Sequence, residues 1–121
     1  MTRRPRAAQP VPETLGFTAV ARPWDRGTVL TLVGELDLDT AGALTVALDA
    51  VLAVPGTVVV LDCAGLEFCD SSGLNVMLRA HKRAVAGGGR VELAGPRPMV
   101  LRMLELTGAT HALPVRDSVP E

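Results

Sequence analysis

Phe68-Cys69-Asp70-Ser71-Ser72-Gly73-Leu74 is the stretch whose reading decides the fold. Ahead of it, Thr57-Val58-Val59-Val60-Leu61 is β-branched and largely apolar on both faces, the pattern of a central strand covered on both sides by helices. Behind it, Leu74, Met77, Leu78, His81 and Val85 recur at helical spacing, and Gly87-Gly88-Gly89 supplies a stop. The stretch is therefore where a strand and its loop, Asp62 to Cys69, give way to an amphipathic helix over about Ser71 to Ala86. A helix start presents unpaired N–H groups and a partial positive charge. A carboxylate followed by two hydroxyls at that place can be a helix cap, a nucleophile or an acceptor of a phosphoryl group.

Working toward the N-terminus, Gly34-Glu35-Leu36-Asp37-Leu38-Asp39 is an acidic loop before a helix expected over about Thr40 to Ala53. Asp39 is its expected N-cap and Pro55-Gly56 its stop. Upstream, Thr14 to Ala21 and Val29 to Val33 read as strands separated by the turn-rich Pro23-Trp24-Asp25-Arg26-Gly27, which predicts an antiparallel hairpin at a sheet edge. Toward the C-terminus, Val91 to Ala94 gives a fourth strand, and about Met99 to Thr107 a third helix capped by Gly108. A last strand around Ala112 to Val115 is confined to an edge by Pro114. The order predicts one α/β domain, with a mixed sheet of about five strands: an N-terminal hairpin, then right-handed parallel crossovers with helices packed on the sheet. The folded part is expected over residues 14–116, with a basic, proline-rich disordered tail at 1–13 and a short tail at 117–121.

Composition narrows the function class. The chain has 121 residues, 48% of them hydrophobic, enough for one core, and a formal net charge of -1, which gives no general attraction to nucleic acid or an acidic membrane. Basicity is local, at Arg3, Arg4 and Arg6. No apolar signal region or membrane-length run is visible, so a cytoplasmic protein is expected. Cys63 and Cys69 are expected to be reduced and structural, and with only His81 and His111 beside them no local metal-ligand set is expected.

In parallel sheets, function gathers at the loops beyond the carboxyl ends of the strands. The acidic loop and the serine loop both belong there, so neighbouring strands are expected to bring Asp37 and Asp39 toward Asp70 and Ser71. The cap reading accounts for Asp70 or Ser71 and leaves the second hydroxyl and Gly73 without a role. The hydrolase reading needs His81 or His111 as base and a G-x-S-x-G turn; the residues are Cys69-Asp70-Ser71-Ser72-Gly73, and His81 falls on the apolar stripe. The switch reading places a phosphate of roughly -1.5 to -2 charges on a serine at a helix start. Beside it, Asn75, Arg79, Lys82 and Arg83 form the polar face of the helix, a solvated face or a partner's contact face.

Gly34-Glu35-Leu36-Asp37 followed by Thr40-Ala41, the strand Val58 to Leu61, the stretch Phe68 to Leu74, the glycine run and Leu106-Thr107-Gly108 resemble, in order and spacing, the STAS-domain anti-sigma factor antagonists. The resemblance covers about Thr14 to Arg116. It implies partner switching in transcription regulation: the unphosphorylated protein binds an anti-sigma factor that is an ATP-dependent serine kinase, which frees a sigma factor. It implies Ser71 as phosphoacceptor and Asp70, Asp37, Asp39, Ser72, Gly73, Asn75 and Arg79 at or near the contact face. A PP2C-type phosphatase resets the switch, and the chain itself needs no catalytic residue, metal or cofactor. The alternative within the family is a STAS scaffold or sensor module that binds another STAS protein or a small ligand. The family often ends in a further helix; the short, proline-broken ending here predicts its absence or truncation, with sheet or helix surface left exposed.

Overall fold

Alternation of inward Phe17 and Ala19 with more exposed neighbours makes β1 (Phe17–Trp24), which pairs antiparallel with β2 (Gly27–Leu36) from Phe17 opposite Gly34 to Trp24 opposite Gly27. The computed structural model describes residues 16–121; the expected tail and Thr14 and Leu15 of the expected first strand lie outside the described residues. The hairpin turn is only Asp25 and Arg26, so Pro23 and Trp24 belong to the strand rather than to a break. Pro23 is tolerated because β1 is an edge strand and no ladder bond needs its missing N–H.

β3 (Val58–Cys69), β4 (Arg90–Ala94) and β5 (Val115–Arg116) follow in the sheet order β1-β2-β3-β4-β5, with β2 through β5 parallel. Three helices make the crossovers: α1 (Ala41–Val51), α2 (Ser71–Ala86) and α3 (Pro98–Leu106). Each crossover steps one strand further in the same direction, and right-handed connections of that kind put all three helices on one face. This corrects the expectation of helices on both sides of β3. Leu44 and Leu48 of α1, Leu74 and Met77 of α2, and Val100 and Leu104 of α3 close on Leu30, Leu32, Val59, Leu61 and Leu93 in one core. The other face carries a smaller cluster, Val29, Val58, Val60 and Ala94, covered by Trp24 and by Val119 of the chain's last residues. Those residues form no helix.

β3 is twelve residues long and takes in Asp62 to Cys69, read from the sequence as a loop. Two irregularities in its pairing with β2, between Thr31 and Val33 and between Gly34 and Glu35, give β3 extra residues and break its period-two pattern. β2 likewise extends through Gly34-Glu35-Leu36, so the acidic loop is shorter than expected. The buried side of α2 is also rotated from expectation. Val76, Ala80 and Ala84 are buried with Leu74 and Met77, whereas Val85 is 53% exposed. A short 3-10 turn, Ala109–His111, leads into β5, which lies at the edge as expected.

Candidate functional site

The site is built where β2 and β3 end side by side. Leu36 pairs with Cys69, and the Asp70 N–H donates to the Leu36 carbonyl at 3.1 Å, extending the parallel ladder by one bond. Asp37 and Asp70 thus leave adjacent strands at the same level, and the expected approach of the acidic loop to the serine loop is present.

Asp70 is the N-cap of α2. Its backbone is extended, and its Oδ1 accepts from Ser72 N–H at 2.8 Å and Gly73 N–H at 3.3 Å. A carboxylate there satisfies two orphan amides and opposes the positive end of the helix dipole. Ser71 follows at the first helical position and is exposed; neither capping bond uses its hydroxyl. Gly73 is buried. A Cβ on it would lie 2.5 Å from Leu36 Cγ, 2.6 Å from Leu36 Cδ2 and 3.1 Å from Cys69 Sγ. Only a glycine lets the first turn of α2 seat on Leu36, so Gly73 acts by packing under the surface rather than as part of it.

The acidic loop is held from within. Asp37 Oδ1 accepts from Asp39 N–H at 3.0 Å and Thr40 N–H at 3.2 Å, an Asx turn that leads into α1. The N-cap of α1 is Thr40 and not Asp39, whose side chain points to solvent. Thr40 is almost fully buried, and its Oγ1 accepts from Asp37 N–H at 2.9 Å and donates to the Glu35 carbonyl at 3.0 Å. Thr40 is the organiser that residue-type reasoning did not single out; the Asp-x-x-Thr spacing before a helix was its signal.

Leu38 crowns this loop, 77% exposed, and with Gly42, Thr45, Ser72, Asn75 and Arg79 lines a shallow groove of about 340 Å³ between α1 and α2. Asn75 and Arg79 thus share one surface with Ser72, whereas Arg83, further along, pairs with Asp49 of α1 where both are more than half exposed. Glu35, Asp39 and Glu67 are exposed around the same end of the sheet, with Asp37 and Asp70 half-buried among them. The surface beside Ser71 is therefore acidic, with one prominent apolar side chain.

Cys63, Cys69 and His81 are structural. Burial, and next the charge of Asp70, push the Cys69 thiol up to about 12, and burial pushes Cys63 to about 12 as well, so neither is a thiolate nucleophile at neutral pH. His81 Nδ1 accepts from Val91 N–H at 3.1 Å. It stands ten residues, about 15 Å of helix, beyond Ser71, which rules it out as that hydroxyl's base. Among the described residues, no group of three or more His, Cys, Asp or Glu side chains is placed to hold a metal ion, and no helix is long and apolar enough to cross a membrane.

Comparison with known proteins agrees with this architecture. A family model described as "Mlab, STAS domain" matches residues 21–116. The chain is 32% identical over 91 residues to the anti-sigma F factor antagonist of Paenibacillus polymyxa, which covers 74% of this chain and 78% of that protein. Among solved structures, an anti-sigma factor antagonist from Mycobacterium paratuberculosis superposes with a TM-score of 0.77 at 27% identity, covering 85% of this chain and 87% of that one. Unphosphorylated SpoIIAA, at 22% identity and a TM-score of 0.68 over 80% of this chain and 86% of that one, shares the fold. With the model match running through β2, β3, both site loops and all three helices, the chain belongs to the STAS-domain family of the anti-sigma factor antagonists.

Proposed function

We propose that the protein is an anti-sigma factor antagonist switched at Ser71. Unphosphorylated, it binds an anti-sigma factor with serine kinase activity through the surface around Asp37, Leu38, Asp39, Asp70, Ser72, Asn75 and Arg79, and a sigma factor is freed. The kinase transfers the γ-phosphoryl group of ATP to Ser71 Oγ, whose proton is lost to the kinase's base, and the complex parts; a PP2C-type phosphatase hydrolyses the ester and restores the first state. The chain supplies an acceptor and a docking surface and no catalytic group. The named relative at 32% identity supports the regulatory class.

The observation that carries the switch is the division of labour at the start of α2. Asp70 holds the Ser72 and Gly73 amides, which leaves the exposed Ser71 at the first helical position outside the capping bonds. A phosphate there adds roughly -1.5 to -2 charges without disturbing the cap, in a surface already acidic. Against a partner that presents like charge, a penalty of about 4 kcal/mol lowers affinity about a thousand-fold. The test is capture of a kinase partner by Ser71→Ala and by Ser71→Asp: the first holds it persistently and the second fails. Equal capture by both would overturn the switch.

The groove beside Ser72 is the one feature that favours the alternative, a STAS sensor or scaffold module taking a small ligand or another STAS protein. That reading expects no kinase partner and a ligand whose binding is lost on filling the groove with Gly42→Leu.

A further inference from the structure

α1 is apolar on the side that faces away from the core as well as on the side that faces it. Leu44 and Leu48 are buried, while Gly42, Val46 and Ala50 on the opposite side are exposed, Val46 by 70%. Leu38 just before the helix and Val54 just after it are exposed too, at 77% and 62%. Asp49 is the one charged residue of α1, and Arg83 of α2 holds it. A helix that is apolar all round is ordinarily a covered one. Gly42 is an independent sign of a close neighbour. Its φ is not positive, and a Cβ on it would meet nothing within 4 Å, so the fold of a single copy gives no reason for a glycine there. Glycine inside a helix is destabilising relative to alanine, and its advantage is close approach by another chain.

We infer that the outer face of α1 pairs with the same face of a second copy, antiparallel across a two-fold axis at Val46. The order of the side chains selects that occupant. Gly42 and Ala50 lie four residues either side of Val46, and Leu38 and Val54 eight residues either side. Large, small, large, small, large reads the same in both directions, so an antiparallel second copy sets Gly42 against Ala50, Val46 against Val46, and Leu38 toward Val54. Residues four apart form the ridge by which helices most often interlock, and small residues at two symmetric points let the backbones come close. Opposed helix dipoles favour the antiparallel sense. In that register Asp39 and Asp49 fall opposite Ala53 and Ala43, so no like charges meet. With Asp49 held by Arg83, the helix presents no unpaired charge by which a different protein would be selected. α1 has 11 residues, about 16 Å of helix, and one such face with a side chain beyond each end falls short of the roughly 1,200 Å² at which specific complexes become stable; the pairing is therefore weak and concentration-dependent. One consequence rests on the antagonist reading: Leu38 also crowns the loop beside Ser71, so self-pairing covers part of the surface that takes the anti-sigma factor. The pairing itself does not rest on it.

Sedimentation equilibrium of the full chain tests the pairing without any other protein. From about 10 μM to about 1 mM the weight-average mass is expected to climb from 12.7 kDa toward twice that value, while Val46→Glu stays at 12.7 kDa with an unchanged urea midpoint. Copper phenanthroline is expected to cross-link Val46→Cys about tenfold faster than Met99→Cys, an equally exposed site on α3, because pairing raises the effective concentration of the first thiol alone. Cys63 and Cys69 are buried and leave the introduced thiol as the reactive one. A parent that remains at 12.7 kDa throughout, a Val46→Glu variant that associates as the parent does, or equal cross-linking at the two positions would each overturn the inference. So would a monomeric parent whose capture of an anti-sigma factor is lost in Val46→Glu, the result for a face that belongs to that partner.

Discussion

Asp70 N–H donates to the Leu36 carbonyl at 3.1 Å, and that bond ties the serine loop to the acidic loop. Directly beneath it Gly73 rests on Leu36. Gly73→Ala gains up to about 1 kcal/mol of helix propensity but drives a methyl into a fully buried leucine, which costs about 1–3 kcal/mol. Overpacking is expected to win because Leu36 is fully buried in the core, and the added methyl would lie 2.5 Å from its Cγ. Urea unfolding is expected to show a net loss of about 1–2 kcal/mol, and a more stable variant would contradict the packing.

Asp70 is read as cap first and surface second. Asp70→Ala is expected to lose about 0.5–2 kcal/mol, and Asp70→Asn, which keeps an acceptor oxygen, a few tenths. Equal losses in denaturant melts would mean that charge rather than the two amide bonds does the work.

His81 closes the exposed edge of β4, because β5 pairs only with Leu93 and Ala94 and leaves Val91 N–H to the imidazole. His81→Ala orphans that amide at a cost of about 1–3 kcal/mol. Amide exchange at Val91 quickens, while Ser71 remains unlabelled by a fluorophosphonate in the parent protein and in the variant. Labelling of Ser71 that depends on His81 would revive the hydrolase reading.

Much of this architecture was legible in the sequence, and each failure has its own physical cause. α2, its glycine stop and the side-by-side loops followed from periodicity and from the rule for strand ends. The second half of β3 did not, because Asp62 and Glu67 sit among its apolar residues and two bulges destroy the alternation that marks a strand. The cap of α1 was misplaced by two competing aspartates: Asp37 turns inward to the Asp39 and Thr40 amides, and only the fold decides which of the two does so. The helix-free face was hidden because Val58 and Val60 look as though they lie under a helix, when Val119 and Trp24 cover them.

The Glu92 carboxylate bridges Arg90 and Arg116 and so fastens β5 to β4. Burial raises its pKa, but hydrogen bonds and charge from the two arginines outweigh burial and hold it below the ordinary glutamate value of 4.5. A depressed folded value means stability is present above pH 4.5 and is lost as pH falls below it through the folded value. The parent should lose stability over that interval by more than Glu92→Gln does. Identical acid profiles would show that the bridge adds nothing.

The proposed switch at Ser71 is tested most directly by phosphosite mapping with mass spectrometry, after the protein is incubated with ATP and the anti-sigma factor that it captures. A single phosphate is expected, on Ser71, with none on Ser72 and none in Ser71→Ala, and the complex is released as it accumulates. An unmodified Ser71, or a complex that persists when Ser71 is fully phosphorylated, would contradict it.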